Sequence, residues 1–278
     1  MQSSDLISEM ITYQGADDLK IAAYMARPKT QERRPAVIVI HEIWGLVDHI
    51  KDVANRFARE GYVALAPDLY SESKELSSVL TAENIRSAWS FMQTLPVNKR
   101  ADMNFVHTEL AKQAVEKRAV IEKVMAVLFA GGLPRDRLLK HLVKAVDYLN
   151  SSPFVLQGKI GSVGFCFGGG MSINLACNAE TSACIIYYGE NPNPIDLIQN
   201  IRCPVLGIYG GEDDRINSNL DKLVAAFIKY KKTDFEIKVY PGAPHAFFND
   251  TNRTTYREEA AKDAWRRTLE FFSRTLTN

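Results

Sequence analysis

Three side chains stand in an order that chemistry can use: Cys166, an acid in Gly210-Gly-Glu-Asp213-Asp214, and His245. Cys166 lies at the centre of Gly164-Phe165-Cys166-Phe167-Gly168, and an apolar, strand-like run from Lys159 leads directly into it. A thiol at a sharp strand-to-helix turn is what a nucleophile elbow requires. Residues two before and two after it must be tiny so that strand and helix can pass closely. The N-terminus of the new helix offers free N–H groups and a dipole, both of which stabilise a thiolate. Serine is the common occupant of such a turn, and sulfur takes its place here. Cys177, Cys184 and Cys203 have no such flanks and read as small apolar core residues.

In a fold built around such an elbow the chain order of a triad is nucleophile, acid, histidine, each near the C-terminal end of a strand. Of the five histidines only His245 follows both other members, since His41, His49, His107 and His141 precede Cys166. Asp213 is the candidate acid and Asp214 its competitor. His245 would exchange the thiol proton and Asp213 would fix the imidazole tautomer. Taken singly, a loop acid can also cap a helix and a loop histidine can simply be solvated. His41-Glu42-Ile43-Trp44-Gly45-Leu46 follows the apolar run 35–40, where half of an oxyanion hole belongs. The backbone N–H groups of Ile43 and Phe167 are the natural donors. His41-Glu42 begins like the zinc motif HExxH, but position 45 is glycine and the stretch follows a strand, so no zinc site is expected. Trp44 either lines the substrate pocket or packs beside it.

Positioning these residues requires a scaffold, and the sequence alternates accordingly. Segments 8–13 and 19–26 flank the turn signal Gly15-Ala16-Asp17-Asp18 and predict a hairpin. Pro35-Ala-Val-Ile-Val-Ile40 reads as a strand buried on both faces. A helix over 49–60 stops at Gly61, and a strand over 62–65 follows. Region 71–150 is helical in pattern, with helices expected near 81–94, 104–129 and 134–150. Alternation then resumes: strand 159–165, helix 169–178, strands 182–188 and 204–210, helix 217–230, strand 234–240, helix 254–274. The pattern predicts the α/β class, a mainly parallel central sheet flanked by helices, and the elbow at Cys166 makes the α/β-hydrolase fold the expected version of it. Residues 1–278 read as a single domain, with 71–150 a helical insertion that could serve as a lid or as packed decoration.

The 34 basic and 33 acidic residues give a formal charge of +1, which offers nothing to nucleic acid or an anionic membrane surface. No eighteen-residue apolar run predicts a membrane span, and Met1–Gln14 has no basic-then-apolar leader pattern. Four cysteines without CxxC pairing suit a reducing cytoplasm better than a disulfide scaffold. The chemistry needs a small-molecule substrate and no metal or cofactor.

Taken together, Gly164-Phe-Cys166-Phe-Gly-Gly169, His41-Glu42-Ile43-Trp44-Gly45, Ala66-Pro67-Asp68-Leu69-Tyr70, Gly210-Gly-Glu-Asp213 and Pro244-His245-Ala-Phe247 resemble the dienelactone hydrolase (carboxymethylenebutenolidase) family. The resemblance spans roughly 10–70 and 135–275. It implies the same triad, and a role for Glu42 as a buried carboxylate that takes the thiol proton when substrate binds, leaving the resting cysteine neutral. It implies hydrolysis of a small ester or lactone through a thioester. Members that cleave dienelactone hold its carboxylate with arginines, one of them four residues after the triad histidine. Here that position is Asn249, with Arg253 a turn further on and Arg86 the candidate for the other arginine. This departure argues against dienelactone itself as substrate. Two other classes compete: a non-catalytic ligand-binding protein on a hydrolase scaffold, and a redox sensor oxidised at Cys166.

Overall fold

The computed structural model describes residues 5–100 and 102–277. Of the opening stretch without a leader pattern, residues 1–4 therefore lie outside the described residues, and Leu6–Gln14 form strand β1. β1 pairs antiparallel with β2 (Lys20–Pro28) across a turn in which Asp17 and Asp18 take φ of 55° and 57°. Aspartate tolerates this left-handed region because its short polar side chain can hydrogen-bond locally. The remaining strands are β3 (Arg34–Ile40), β4 (Val63–Pro67), β5 (Val155–Phe165), β6 (Ala183–Tyr187), β7 (Val205–Gly210) and β8 (Phe235–Tyr240). They form one eight-stranded sheet in the order β1-β2-β4-β3-β5-β6-β7-β8. All pairings from β4 to β8 are parallel.

β3 explains why its sequence shows no polar alternation. Ala36, Ile38 and Ile40 enter one buried cluster and Val37 and Val39 another, so both faces are covered. On the Val37 face lie α1 (Asp48–Arg59), with Ile50, Val53, Ala54 and Phe57 buried, and α10 (Glu258–Leu276). The opposite face carries α6 (Arg135–Ser151), α7 (Phe167–Asn178) and α9 (Leu220–Lys229), with the short α8 (Asp214–Asn217) before it. Between β4 and α6 run α2 (Lys74–Val79), α3 (Ala82–Thr94), α4 (Met103–Leu110) and α5 (Val115–Phe129). Ile85, Phe91 and Met92 of α3 and Val124, Met125 and Leu128 of α5 share a buried cluster with Ile38 and Ile40. The helical excursion is thus continuous with the main core.

Several boundaries differ from expectation. The helix expected over 104–129 is two, separated at Ala111–Ala114, a stretch with neither glycine nor proline to announce a break. One straight helix would run about 39 Å at 1.5 Å per residue, too long to fold back on the domain; the break lets α5 pack against α3. The last helix begins at Glu258, because side chains of Asn249, Asn252 and Thr254 bond locally within the preceding turn. The helix expected over 217–230 is α9, which starts at Leu220 after the separate short α8. No helix among the described residues is long and apolar enough to cross a membrane.

Parallel pairing brings the C-terminal strand ends to one edge. Gly164 of β5 is level with Ile40 of β3 and Ile186 of β6. The residues that follow β3, β5, β6, β7 and β8 therefore emerge side by side.

Candidate active site

Cys166 occupies the single residue between β5 and α7, with φ 55° and ψ −115°. A side chain other than glycine in that region is strained, and such strain gathers at functional sites. The neighbouring backbone holds it there. Its N–H donates to the Tyr187 carbonyl at 3.0 Å, and its own carbonyl accepts from Gly169 N–H at 2.9 Å. A Cβ on Gly164 would fall 1.8 Å from the Gly168 carbonyl oxygen, and one on Gly168 would fall 2.2 Å from that of Ile40. The flanking glycines are thus demanded by backbone on both sides. The thiol is half-buried, whereas Cys177, Cys184 and Cys203 are buried.

His245 follows β8 in a loop that turns through Ala246 at φ 60°. Its Nδ1 meets Asp213 Oδ2 at 2.5 Å, and its ring also hydrogen-bonds the Cys166 side chain. Asp213 is buried while Asp214 is exposed, so Asp213 is the acid that reaches the imidazole. Burial favours the neutral ring, but the charge of Cys166 and the hydrogen bonds to Asp213 and Cys166 outweigh it, raising the His245 pKa from 6.5 to about 10. The site therefore favours imidazolium beside sulfur.

Glu42 is buried beneath the same edge. Its Oε2 accepts from Asn249 Nδ2 at 2.7 Å, and its Oε1 is buried without a partner. A neutral amide thus stands against this carboxylate. Tyr188 is fully buried and lies edge-on to His245, with ring centroids 5.1 Å apart. Burial, then the charges of Glu42 and Cys166, hold its phenol well above the ordinary value, so it stays protonated. Ile43 N–H donates to no acceptor within the described residues, and Phe167 N–H is the first of α7 and so has no intrahelical partner. Trp44 is half-buried, edge-on to Trp89 of α3 at 4.9 Å and to the exposed Phe129 of α5 at 5.8 Å.

Arg86 and Arg253 are exposed, and neither bonds a site residue among those described. The cation found beside the elbow is Arg135, at the start of α6. Its guanidinium carbon lies 5.5 Å from the centroid of the Phe167 ring, and one nitrogen is 3.0 Å from Glu190. Sequence reasoning missed Arg135, Trp89, Phe129 and Tyr188. Only Tyr188, directly after a strand at the site edge, carried a positional signal.

A mainly parallel sheet between helical layers, an elbow at β5 and a histidine after the last strand define an α/β-hydrolase. A family model described as the dienelactone hydrolase family matches residues 21–276. A protein of Saccharolobus solfataricus, provisionally named carboxymethylenebutenolidase, is 42% identical over 261 residues, covering 93% of this chain and 96% of its own. A crystal structure from Klebsiella pneumoniae, titled as a provisional dienelactone hydrolase, superposes with TM-score 0.73 at 25% identity, covering 96% of this chain and 98% of that one. A dienelactone hydrolase-like promiscuous phosphotriesterase from metagenomic libraries shares the fold, with TM-score 0.67 at 20% identity and coverage of 98% and 99%. The chain belongs to the dienelactone hydrolase family and is a hydrolase of carboxylic esters or lactones.

Proposed function

We propose that the protein hydrolyses a small neutral ester or lactone through a thioester on Cys166. The observation that carries this is the strained, half-buried Cys166 hydrogen-bonded to a His245 whose other nitrogen is held by buried Asp213. In acylation, Cys166 Sγ bonds to the carbonyl carbon while its proton rests on His245 Nε2. The carbonyl pair moves to oxygen, which the N–H groups of Ile43 and Phe167 receive. Collapse breaks the bond to the leaving oxygen, which takes the proton from His245. Water then adds to the thioester, giving His245 its proton. The Sγ–C bond breaks, and the acid leaves with the thiol restored. With the thiol proton held on His245, Glu42 takes no proton in these steps and serves as a buried auxiliary carboxylate, its Oε2 held by Asn249 and its Oε1 unpartnered.

The choice of substrate rests on the walls. Asn249 presents no charge to a substrate carboxylate, and its amide is committed to Glu42. Trp44, Trp89 and Phe129 offer an aromatic surface one residue from the Ile43 donor. On this reading α3 and α5 of the helical excursion serve as a wall over the site, and the acyl or alcohol part is apolar. A free thiol nucleophile among four unpaired cysteines suits a reducing compartment, which supports a cytoplasmic setting.

The test is turnover of short activated esters and simple lactones, with Cys166→Ala beside the wild type. Wild-type turnover should fall by a factor on the order of 10³ or more in the variant. Equal rates would overturn the assignment.

A further inference from the structure

We propose that His41 is a positioning residue of the oxyanion hole, orienting and polarising the Glu42–Ile43 peptide through a hydrogen bond to the Glu42 carbonyl. The inference rests on the thioester reading above and extends it to a residue that the reaction steps leave idle.

His41 follows β3 directly and is completely buried. Its two ring nitrogens are both engaged. The backbone N–H of Leu69 points at Nε2 from 3.3 Å, and Nδ1 lies 2.6 Å from the Glu42 carbonyl oxygen. A backbone N–H can only donate, so Nε2 carries the lone pair. The proton of the neutral ring is then on Nδ1, and Nδ1–H donates to Glu42. Burial keeps the ring neutral: it holds its pKa below the ordinary 6.5, against hydrogen bonding to the Glu42 backbone and the charge of Asp68.

The Glu42 carbonyl and the Ile43 N–H are two ends of one planar peptide unit, pointing in opposite directions. Fixing the oxygen fixes the line along which Ile43 N–H points. A hydrogen bond at the oxygen also strengthens the N–H as a donor, since bonds in a chain polarise one another. Leu69 N–H, the imidazole, the peptide and the developing oxyanion form such a chain, with no proton changing place. Gly45 N–H adds a second, longer bond to the same carbonyl at 3.1 Å.

The segment that supplies Leu69 clamps the next peptide as well. Tyr70 Oη donates to the Ile43 carbonyl at 2.7 Å, and Asp68 fixes the segment by accepting from Tyr70 N–H at 3.2 Å. Both peptides flanking Ile43 are thus held by Asp68-Leu69-Tyr70, a stretch otherwise without a role. The His41 ring also stacks on Phe167, the other donor residue, with centroids 6.1 Å apart.

Three proteins test this: wild type, His41→Leu, which loses both bonds, and His41→Gln, whose amide can accept from Leu69 and donate to Glu42. Each is assayed on an activated ester and for inhibition by a trifluoromethyl ketone. The Cys166 sulfur adds to the ketone carbon, the carbonyl pair becomes an oxyanion, and His245 keeps the thiol proton. In His41→Leu, kcat/KM and ketone affinity should fall together by about 10- to 100-fold, and His41→Gln should recover most of both. Unchanged ketone affinity in a folded His41→Leu protein, or equal loss in both variants, would overturn the role. Should His41→Leu not fold, the wild-type Nδ1–H resonance decides. It should move downfield when the ketone binds, and a resonance that stays put refutes the proposal. Undiminished turnover in Cys166→Ala would instead sink the thioester reading, so the two failures are separable.

Discussion

The charged form of His245 is stabilised by the Cys166 sulfur beside it as well as by Asp213. The raised His245 pKa depends on the sulfur's charge as much as on Asp213, because burial alone would push the imidazole down. Removing the sulfur should therefore lower it. An NMR titration of the His245 ring is expected to give a midpoint near 10 in the wild type and a clearly lower one in Cys166→Ala. Equal midpoints would show that Asp213 acts alone. That only His245 follows both Cys166 and the acidic loop was legible from residue order. The choice of Asp213 over Asp214 was not, because it depends on which carboxylate the turn into α8 buries.

The elbow is the element on which the site depends. Glycine at 164 and 168 was readable from the motif, and the structure supplies the reason: each faces a carbonyl oxygen well inside contact distance. Gly164→Ala would require β5 and α7 to separate. It should destabilise the fold by more than about 3 kcal/mol, or leave the chain insoluble, placing it with the severe strain and overpacking mutations. Thermal or denaturant unfolding measures this, and a stability within 0.5 kcal/mol of wild type would mean the elbow is looser than described. β3 and α1 were legible from periodicity because burial on both faces or on one stripe leaves a pattern. The break at Ala111–Ala114 left none. Likewise nothing local marked Trp89 and Phe129 as neighbours of Trp44, a contact made only when α3 and α5 pack.

Across the whole molecule two histidines pull stability in opposite directions with pH. His41 has its folded pKa below 6.5, so its contribution is intact above that value. As pH falls through 6.5 the unfolded chain takes a proton that the folded one refuses, and stability drops. His245 has its pKa raised, so its contribution is intact below 6.5 and is lost as pH rises towards about 10. Tm should be highest near neutrality and fall between pH 7 and pH 5, with a smaller fall in His41→Gln. The same acid slope in both proteins would remove His41 from the account. The α/β class and the mainly parallel sheet were readable from the alternation of strands and helices. The polar bracket from Leu69 and Tyr70 to His41 and Ile43 was not, since it joins residues 27 or 28 apart whose types carry no pairing signal.

The central claim is a covalent acyl group on Cys166. Intact-protein mass spectrometry of the wild type, quenched in acid within seconds of mixing with an activated ester, measures it directly. A mass increase equal to the acyl group is expected, mapped to the peptide that contains Cys166 and absent from Cys166→Ala. Steady hydrolysis with no acylated protein at any quench time, or the same adduct in Cys166→Ala, would contradict it.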